Sequence, residues 1–175
     1  MATIPKIFPG SVNKSTIEAS QLTNVHIRWM ISRDMPGVLQ VEEGNYAHYS
    51  WSEENFLQCL RQRNCIGYVF ESEEKILGFV LYELLKNKFN VLKLAVHPEY
   101  HHRGIGTQIA NKLISRLSNS RNKITITLRE TDLNTQLFLR EAGFKAIKVT
   151  RSFYEDSGED AFIMEYHFTE CTEQV

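Results

Sequence analysis

The segment that most constrains the fold of this chain is VLKLAVHPEYHHRGIGT, residues 91–107. It predicts a strand ending at His97-Pro98, a loop rich in His and Arg, and Gly104-x-Gly106 at the start of the amphipathic helix QIANKLISRLS. The first amides of a helix have no intrahelical partner, and glycines let a ligand approach them without obstruction by Cβ atoms. Because the helix dipole also favours negative charge there, the segment predicts a phosphate or pyrophosphate site.

Two other phosphate-binding motifs do not fit this segment. A P-loop requires Gly-Lys-Ser/Thr, which the sequence lacks. A dinucleotide-binding fingerprint requires a third Gly or Ala at the position that Ile109 occupies. The glycine pair therefore indicates a phosphate ligand, but it matches neither the P-loop nor the dinucleotide-binding motif.

Composition limits the organisation of the chain and its partners. A length of 175 residues with 42% hydrophobic content predicts one globular domain over residues 24–169. Residues 1–23 are rich in Ser, Thr, Asn and Pro and are expected to form a poorly ordered arm, and residues 170–175 a short tail. A formal net charge of −1 provides no strongly basic face, so no nucleic-acid partner is expected.

Neither a signal sequence nor a membrane span is recognisable. The N-terminus MATIPKIFPG lacks a basic start followed by an apolar run, and no stretch approaches the length of a transmembrane helix. The 3 cysteines are odd in number and form no C-x-x-C pair, so they are expected to be reduced thiols. These features predict a cytoplasmic protein with no membrane partner and leave its oligomeric state open.

The remaining patterns predict alternating strands and helices. The predicted strands are residues 25–31, 65–71, 76–84, 89–96, 124–128, 144–153 and 161–168. The predicted helices begin near Asp34 and end at Gly44-Asn45, span residues 53–63 after Ser52, follow Gly106, and span residues 134–141. The order β α α β β β α β α β β predicts an α/β (α+β) fold, with a mixed, mostly antiparallel sheet of six to seven strands flanked by about four helices.

With this order, the segments LKLAV, HPEYHHRGIGT, IANKLISRL and FLREAGF resemble the GNAT superfamily of acyl-CoA N-acyltransferases over residues 25–168. The resemblance implies the GNAT fold and acetyl-CoA as acyl donor. The family's pyrophosphate loop, Q/R-x-x-G-x-G/A, corresponds to His101, His102, Arg103, Gly104, Ile105 and Gly106, followed by Thr107 as a further donor. Its first position departs from the pattern, since His101 replaces Gln or Arg. The strand residues Leu94, Ala95 and Val96 are implied to lie along the pantetheine arm.

A narrower resemblance rests on DMPGVLQVEEGNYAHYSWSEENF, AVHPEY, LREAGF and RSFYEDSGEDAFIM. These segments look like the bacterial ribosomal-protein alanine N-acetyltransferases, the RimI-like group. The resemblance implies that the acceptor is the N-terminal α-amine of a protein or peptide, with a ribosomal protein as one candidate. The fold alone does not identify the acceptor, because the same scaffold acetylates many kinds of amine.

The positions of the group's catalytic residues do not match. Counting back from Gly143-Phe144 puts Thr127 where the group has its Glu base and Leu139 where it has its Tyr acid. The Asn that contacts the cofactor falls on Asp132, which is therefore the expected cofactor contact. A positioned base is worth about 10² to 10⁴ in rate, so its absence is a real loss.

Other residues are candidates for the proton transfers. An α-amine with a pKa near 8 is already roughly a quarter neutral at about pH 7.5, so a missing base harms N-terminal transfer less than lysine transfer. Glu42 and Glu43, at the end of the first helix, are candidate bases, and Tyr154 is a candidate for orienting the acceptor or donating to the thiolate. Surface acids and a rim tyrosine are the alternative interpretations of these residues.

Two alternative functions are also compatible with the sequence. A catalytically silent domain that binds acyl-CoA as a sensor or partner-binding module would explain Thr127 and Leu139. A small-molecule amine acetyltransferase is the third possibility. His97, His101 and His102 fit no common zinc spacing, so no metal is expected.

Overall fold

A computed structural model of the chain describes residues 24–46 and 48–168. The predicted N-terminal arm, residues 1–23, and the predicted C-terminal tail, residues 170–175, lie outside these residues. Within the described part, none of the helices is long and apolar enough to cross a membrane.

One sheet of seven strands organises the domain, in the spatial order β1-β2-β3-β4-β5-β7-β6. The strands are β1 His26–Trp29, β2 Cys65–Ser72, β3 Lys75–Leu84, β4 Lys88–Val96, β5 Lys123–Arg129, β6 Lys145–Thr150 and β7 Ala161–His167. Each neighbouring pair is antiparallel except β4 and β5, which are parallel. The predicted mixed, mostly antiparallel sheet is therefore confirmed.

Four α-helices cover the two faces of the sheet, as predicted. They are α1 Met35–Tyr46, α2 Glu53–Leu60, α3 Ile105–Ile114 and α4 Leu133–Glu141. The core residues Ile105, Ile109 and Leu113 of α3 pack on one face, while Val41 of α1 and Phe56 of α2 pack on the other. Strand β3 contributes buried side chains to both cores, which explains its nearly continuous apolar sequence.

The predicted end of α1 at Gly44-Asn45 is wrong. The helix continues to Tyr46, and the Asn45 amide donates to the carbonyl of Val41 one turn earlier, at 2.8 Å, as well as to Val96 at 2.9 Å. Gly44 is required for close packing, because a Cβ atom there would lie 3.1 Å from the ring of Pro98. Glycine at position 44 allows α1 to pack closely against the chain after β4, and it does not end the helix.

The beginnings of the two N-terminal helices differ in how well the sequence predicts them. Ser52 caps α2, with reciprocal contacts to Asn55 that form a capping box. Asp34 instead ends a short 3₁₀ turn before α1, and its buried carboxylate accepts from the Ile31 amide and from the guanidinium of Arg28. The Asp34 side chain thus ties β1 to the turn before α1.

Candidate active site

The site forms where β4 and β5 separate. The two strands pair only over residues 88–91 and 123–126, although β4 continues to Val96 and β5 to Arg129. A bulge in β4 accompanies the separation, because Leu81 pairs with Lys93 and Tyr82 with Val91, which leaves Leu92 without an opposite residue. The remainder of β4 therefore presents an edge that β5 does not cover.

A cleft of about 220 Å³ occupies this opening. Strands β4 and β5 provide its floor, and its walls come from the chain between α1 and α2, the start of α4, and the loop between β6 and β7. The lining residues are Tyr46, Tyr49, Trp51, Leu92, Lys93, Leu94, Ile126, Thr127, Leu128, Arg129, Asp132 and Tyr154.

The start of α3 provides a cradle for an anion. Gly104 has a φ of +81°, in the left-handed region, and an added Cβ atom there would meet no atom within 4 Å. The intrahelical ladder begins with the Gln108 amide, which donates to the Gly104 carbonyl at 3.1 Å, so the amides before it have no partner in the helix. Gly106 lets α3 approach α4, because a Cβ atom there would lie 3.2 Å from the ring of Phe138.

The loop before this cradle is held by its own side chains. The His101 ring donates from Nε2 to the carbonyl of Val96 at 2.8 Å, and the Arg103 guanidinium lies 5.1 Å from the ring of Tyr100. His102 has a φ of +59°, a conformation that is uncommon for residues other than glycine. The loop is therefore bent sharply between the end of β4 and the start of α3.

A buried ion pair lies beneath the cleft. Glu42 is 0% exposed, and its Oε1 accepts from Lys93 Nζ at 2.5 Å and from the Trp51 amide at 3.0 Å. Its other oxygen, Oε2, is buried without a hydrogen-bond partner among the described residues. Lys93 Nζ also lies 4.5 Å from the ring of Tyr46 and 5.4 Å from that of Trp51. Glu42 thus fixes the one lysine that lines the cleft in the described part of the chain.

Arg129 joins two opposite walls of the cleft. Its guanidinium lies 4.0 Å from the ring of Tyr49 and 3.9 Å from the ring of Tyr154. The same group donates to Asp156 at 2.6 Å and to Glu159 at 2.8 Å, both in the loop between β6 and β7. The Arg129 side chain is only 9% exposed. We call Arg129, Tyr49, Tyr154, Asp156 and Glu159 the arginine clamp.

The arginine clamp should make the stability of the protein depend on pH in acid. Hydrogen bonds from Thr131, Arg129 and Ser157 lower the pKa of Glu159 from 4.5 to about 2. Because the folded-state pKa is depressed, the stabilisation is complete above the ordinary pKa and is lost as the pH falls through about 2. We therefore expect the free energy of unfolding of the native chain to fall more steeply between pH 4.5 and 2 than that of Glu159→Gln. Equilibrium urea unfolding measures both, and equal slopes would contradict the expectation.

The structure brings together some of the residues singled out in the sequence and separates others. Tyr154, Leu94 and Asp132 line the cleft. Glu43 is exposed and is not among the lining residues, and Glu42 lies beneath the lining as the partner of Lys93. The interpretation of Glu42 as a solvated surface acid is therefore wrong, because its position on α1 faces the sheet.

Three further residues have environments that the sequence does not indicate. His97 is buried directly after β4, and burial lowers its pKa. Trp29 is 54% exposed and stacks on Tyr68, so it is not a core residue. Leu139 is fully buried in the core on the α3 face, which excludes it from chemistry in the cleft.

The residues of the cleft that the sequence analysis missed include Tyr49, Lys93 and Arg129. For Lys93 a signal existed, since it is a charged residue within the otherwise apolar run VLKLAV. No local pattern marks Tyr49 or Arg129. No group of three or more His, Cys, Asp or Glu residues suited to a metal ion occurs in the described ranges.

The residues present fit acetyl-CoA. The open space above Gly104 and the unpaired first amides of α3 suit a diphosphate, and the uncovered edge of β4 suits an extended arm with amide groups. A helix start suited to a diphosphate, beside two separated parallel strands and a cleft with aromatic walls, is the arrangement expected of an acyl-CoA-dependent N-acyltransferase. The model of the Acetyltransferase (GNAT) family matches residues 25–144, and the chain belongs to that family. As a member of this family it is an acetyltransferase that uses acetyl-CoA as acyl donor.

Relatives and solved structures agree with this assignment. The [ribosomal protein bS18]-alanine N-acetyltransferase of Salmonella typhimurium is 24% identical over 135 residues, which cover 75% of this chain and 89% of the relative. The N-alpha-acetyltransferase of Sulfurisphaera tokodaii is 26% identical over 135 residues, covering 69% and 77%. The crystal structure of the ribosomal-protein-S18-alanine N-acetyltransferase from Escherichia coli has the same fold, with a TM-score of 0.72, 19% identity and coverage of 87% and 99%.

Proposed function

We propose that this acetyltransferase modifies the N-terminal α-amine of a protein. The observation that carries the proposal is the cleft at the separation of β4 and β5, where Tyr49, Trp51 and Tyr154 form aromatic walls around the place that an acceptor chain must enter. Relatives named for N-terminal acetylation support the same acceptor class. A ribosomal protein with N-terminal alanine is the narrower candidate, supported by the name of the Salmonella relative.

The proposed acetyl-CoA site follows from the geometry of the two elements around the cleft. The pyrophosphate is bound by the loop and helix start formed by His101, His102, Arg103, Gly104, Ile105, Gly106 and Thr107. The pantetheine arm runs along the uncovered edge of β4 at Leu94, Ala95 and Val96. Acetyl-CoA supplies an acetyl group activated as a thioester, and this arrangement directs the thioester to the floor of the cleft.

Tyr154 is the proposed hydrogen-bond donor at the acceptor wall. It lines the cleft, and its ring is held against the Arg129 guanidinium at 3.9 Å. Burial raises the pKa of Tyr154 above its ordinary value, so its hydroxyl keeps its proton at neutral pH. A protonated phenol can orient the acceptor or donate to the departing sulfur. Glu42 contributes indirectly, by fixing Lys93.

Acetylation of peptide panels tests the function. We expect transfer from acetyl-CoA to peptides with a free N-terminal Ala or Ser, and at least about tenfold lower rates for the same peptides with a blocked N-terminus and an internal Lys. The difference arises because the neutral fraction of a lysine amine with a pKa near 10.4 is about 200-fold smaller at about pH 7 than that of an α-amine with a pKa near 8. Mass spectrometry of the products identifies the modified nitrogen.

The same panel contains the outcomes that contradict the proposal. Polyamines or aminoglycosides as the sole good acceptors would assign the enzyme to small-molecule acetylation. CoA binding without turnover of any amine would identify a catalytically silent module. A preference for Ala over Ser at the first position, in a peptide carrying the N-terminal sequence of a ribosomal protein, would support the narrower substrate.

A further inference from the structure

We propose that Asp132 is the proton acceptor of the transfer reaction. This inference rests on the proposed function, because it concerns the amine that enters the same cleft. Among the described residues that line the cleft, Asp132 carries the only carboxylate. Thr127, at the position of the expected Glu base, lines the same cleft but has no group that accepts a proton at neutral pH.

The other nearby acids are occupied or too far from the opening. Glu42 is fully buried and is bound to Lys93 and to the Trp51 amide. Asp156 and Glu159 are bound to Arg129 within the arginine clamp. Glu43 is exposed on α1 and does not line the cleft. Asp132 therefore remains as the carboxylate in contact with the space that the acceptor fills.

The position of Asp132 is set by its role as the N-cap of α4. Its Oδ1 accepts from the Thr135 amide at 3.2 Å, which fixes the carboxylate at the end of the helix. The other carboxylate oxygen of Asp132, Oδ2, accepts no hydrogen bond from the described residues. Because the Asp132 side chain lines the cleft, this oxygen is available to an acceptor there. Tyr46 lines the same cleft; burial raises the pKa of Tyr46, and the negative charge of Asp132 raises it further.

The proposed step balances without any further reactant. The lone pair of the neutral amine forms the C–N bond to the thioester carbonyl carbon, and one N–H proton passes to Asp132. When the C–S bond breaks, sulfur keeps the electron pair and takes up one proton, so that amine and thioester yield amide and thiol. A positioned base of this kind is typically worth about 10² to 10⁴ in rate.

The charged and titratable groups around Asp132 come from every wall of the cleft. They are Tyr46 of α1, Tyr49 of the following loop, Lys93 of β4, Arg129 of β5 and Tyr154 of the loop between β6 and β7. Lys93 and Arg129 are each held by a carboxylate, Glu42 and Glu159 respectively, so their charges are already compensated. Asp132 is therefore the anion available to an entering amine.

Asp132→Asn tests the inference with little structural change, because Asn is an equally good N-cap and removes only the charge. We expect kcat for an N-terminal peptide at pH 7 to fall by about 100-fold or more, with CoA affinity by calorimetry unchanged within about twofold. The deficit should persist at pH 9, where an α-amine with a pKa near 8 is mostly neutral, because Asp132 accepts the proton that leaves the nitrogen as the C–N bond forms. Glu141→Gln, an exposed acid at the other end of α4, is the matched control and should retain the native rate.

Three outcomes would overturn the inference. An unchanged kcat in Asp132→Asn would exclude a proton-accepting role. Weaker CoA binding with unchanged kcat would restore the role of cofactor contact that the family resemblance implies for this position. A rate loss that Glu141→Gln shares would indicate a general effect of charge on α4. If the native protein acetylates no amine at all, the proposed function fails first, which distinguishes the two hypotheses.

Discussion

Replacement of Gly104 by Val should lower the affinity for CoA by about 100-fold or more. At a φ of +81° a β-branched residue is strained by about 1–2 kcal/mol, so the loop is expected to change conformation. The new side chain would also enter the open space above the first amides of α3, where nothing lies within 4 Å. Loss of two hydrogen bonds to a charged group, each worth about 1.5–3 kcal/mol, gives the expected magnitude, since about 1.4 kcal/mol corresponds to tenfold.

Isothermal titration calorimetry with CoA measures this effect, and the chain offers a matched control. Gly158 also has a positive φ, +73°, with nothing within 4 Å of an added Cβ atom, but it lies in the loop between β6 and β7. Gly158→Val should introduce comparable strain and leave the Kd for CoA unchanged. Equal affinities of Gly104→Val and the native protein would refute the cradle at the start of α3.

Replacement of Arg129 by Met should open the acceptor side of the cleft. Methionine has an unbranched side chain that approximates the aliphatic part of arginine but carries no charge and no hydrogen-bond donor. The substitution therefore removes the hydrogen bonds to Asp156 and Glu159 and the cation between the rings of Tyr49 and Tyr154. A desolvated cation–aromatic contact is worth about 2 kcal/mol, so we expect the free energy of unfolding to fall by about 2–3 kcal/mol. The KM for an acceptor peptide should rise about tenfold or more, because two walls lose their common support.

Urea unfolding and steady-state kinetics with a peptide acceptor measure the two effects. Arg151→Met is the control, since Arg151 pairs with Asp160 near the same hairpin but its side chain is 85% exposed. Exposed ion pairs contribute about 0–1 kcal/mol, so this variant should keep both its stability and its KM. If Arg129→Met is destabilised but retains the native KM, the arginine clamp supports the fold without shaping the acceptor site.

The sequence predicted the helix start at Gly104-x-Gly106 from a local pattern, and α3 begins there. Gly104 and Gly106 directly precede the amphipathic pattern of α3 in the sequence. The unpaired amides at the start of a helix are a property of the helix itself and depend on no residue distant in the chain. The periodicities of 2 and 3.6 likewise identified the order of strands and helices, because they reflect which side of each element is buried. The end of α1 was missed because the packing of Gly44 against Pro98 is a long-range contact.

The acceptor site was beyond such local patterns. Tyr49, Lys93, Arg129 and Tyr154 come from four separate segments, and they meet because the bulge at Leu92 and the parting of β4 from β5 open the sheet at one point. The burial of Glu42 is likewise decided by the docking of α1 on the sheet. By itself the sequence determined the elements and the helix start at the glycine pair. Tertiary structure alone decided which acids are buried or paired, because burial and pairing depend on residues far apart in the chain.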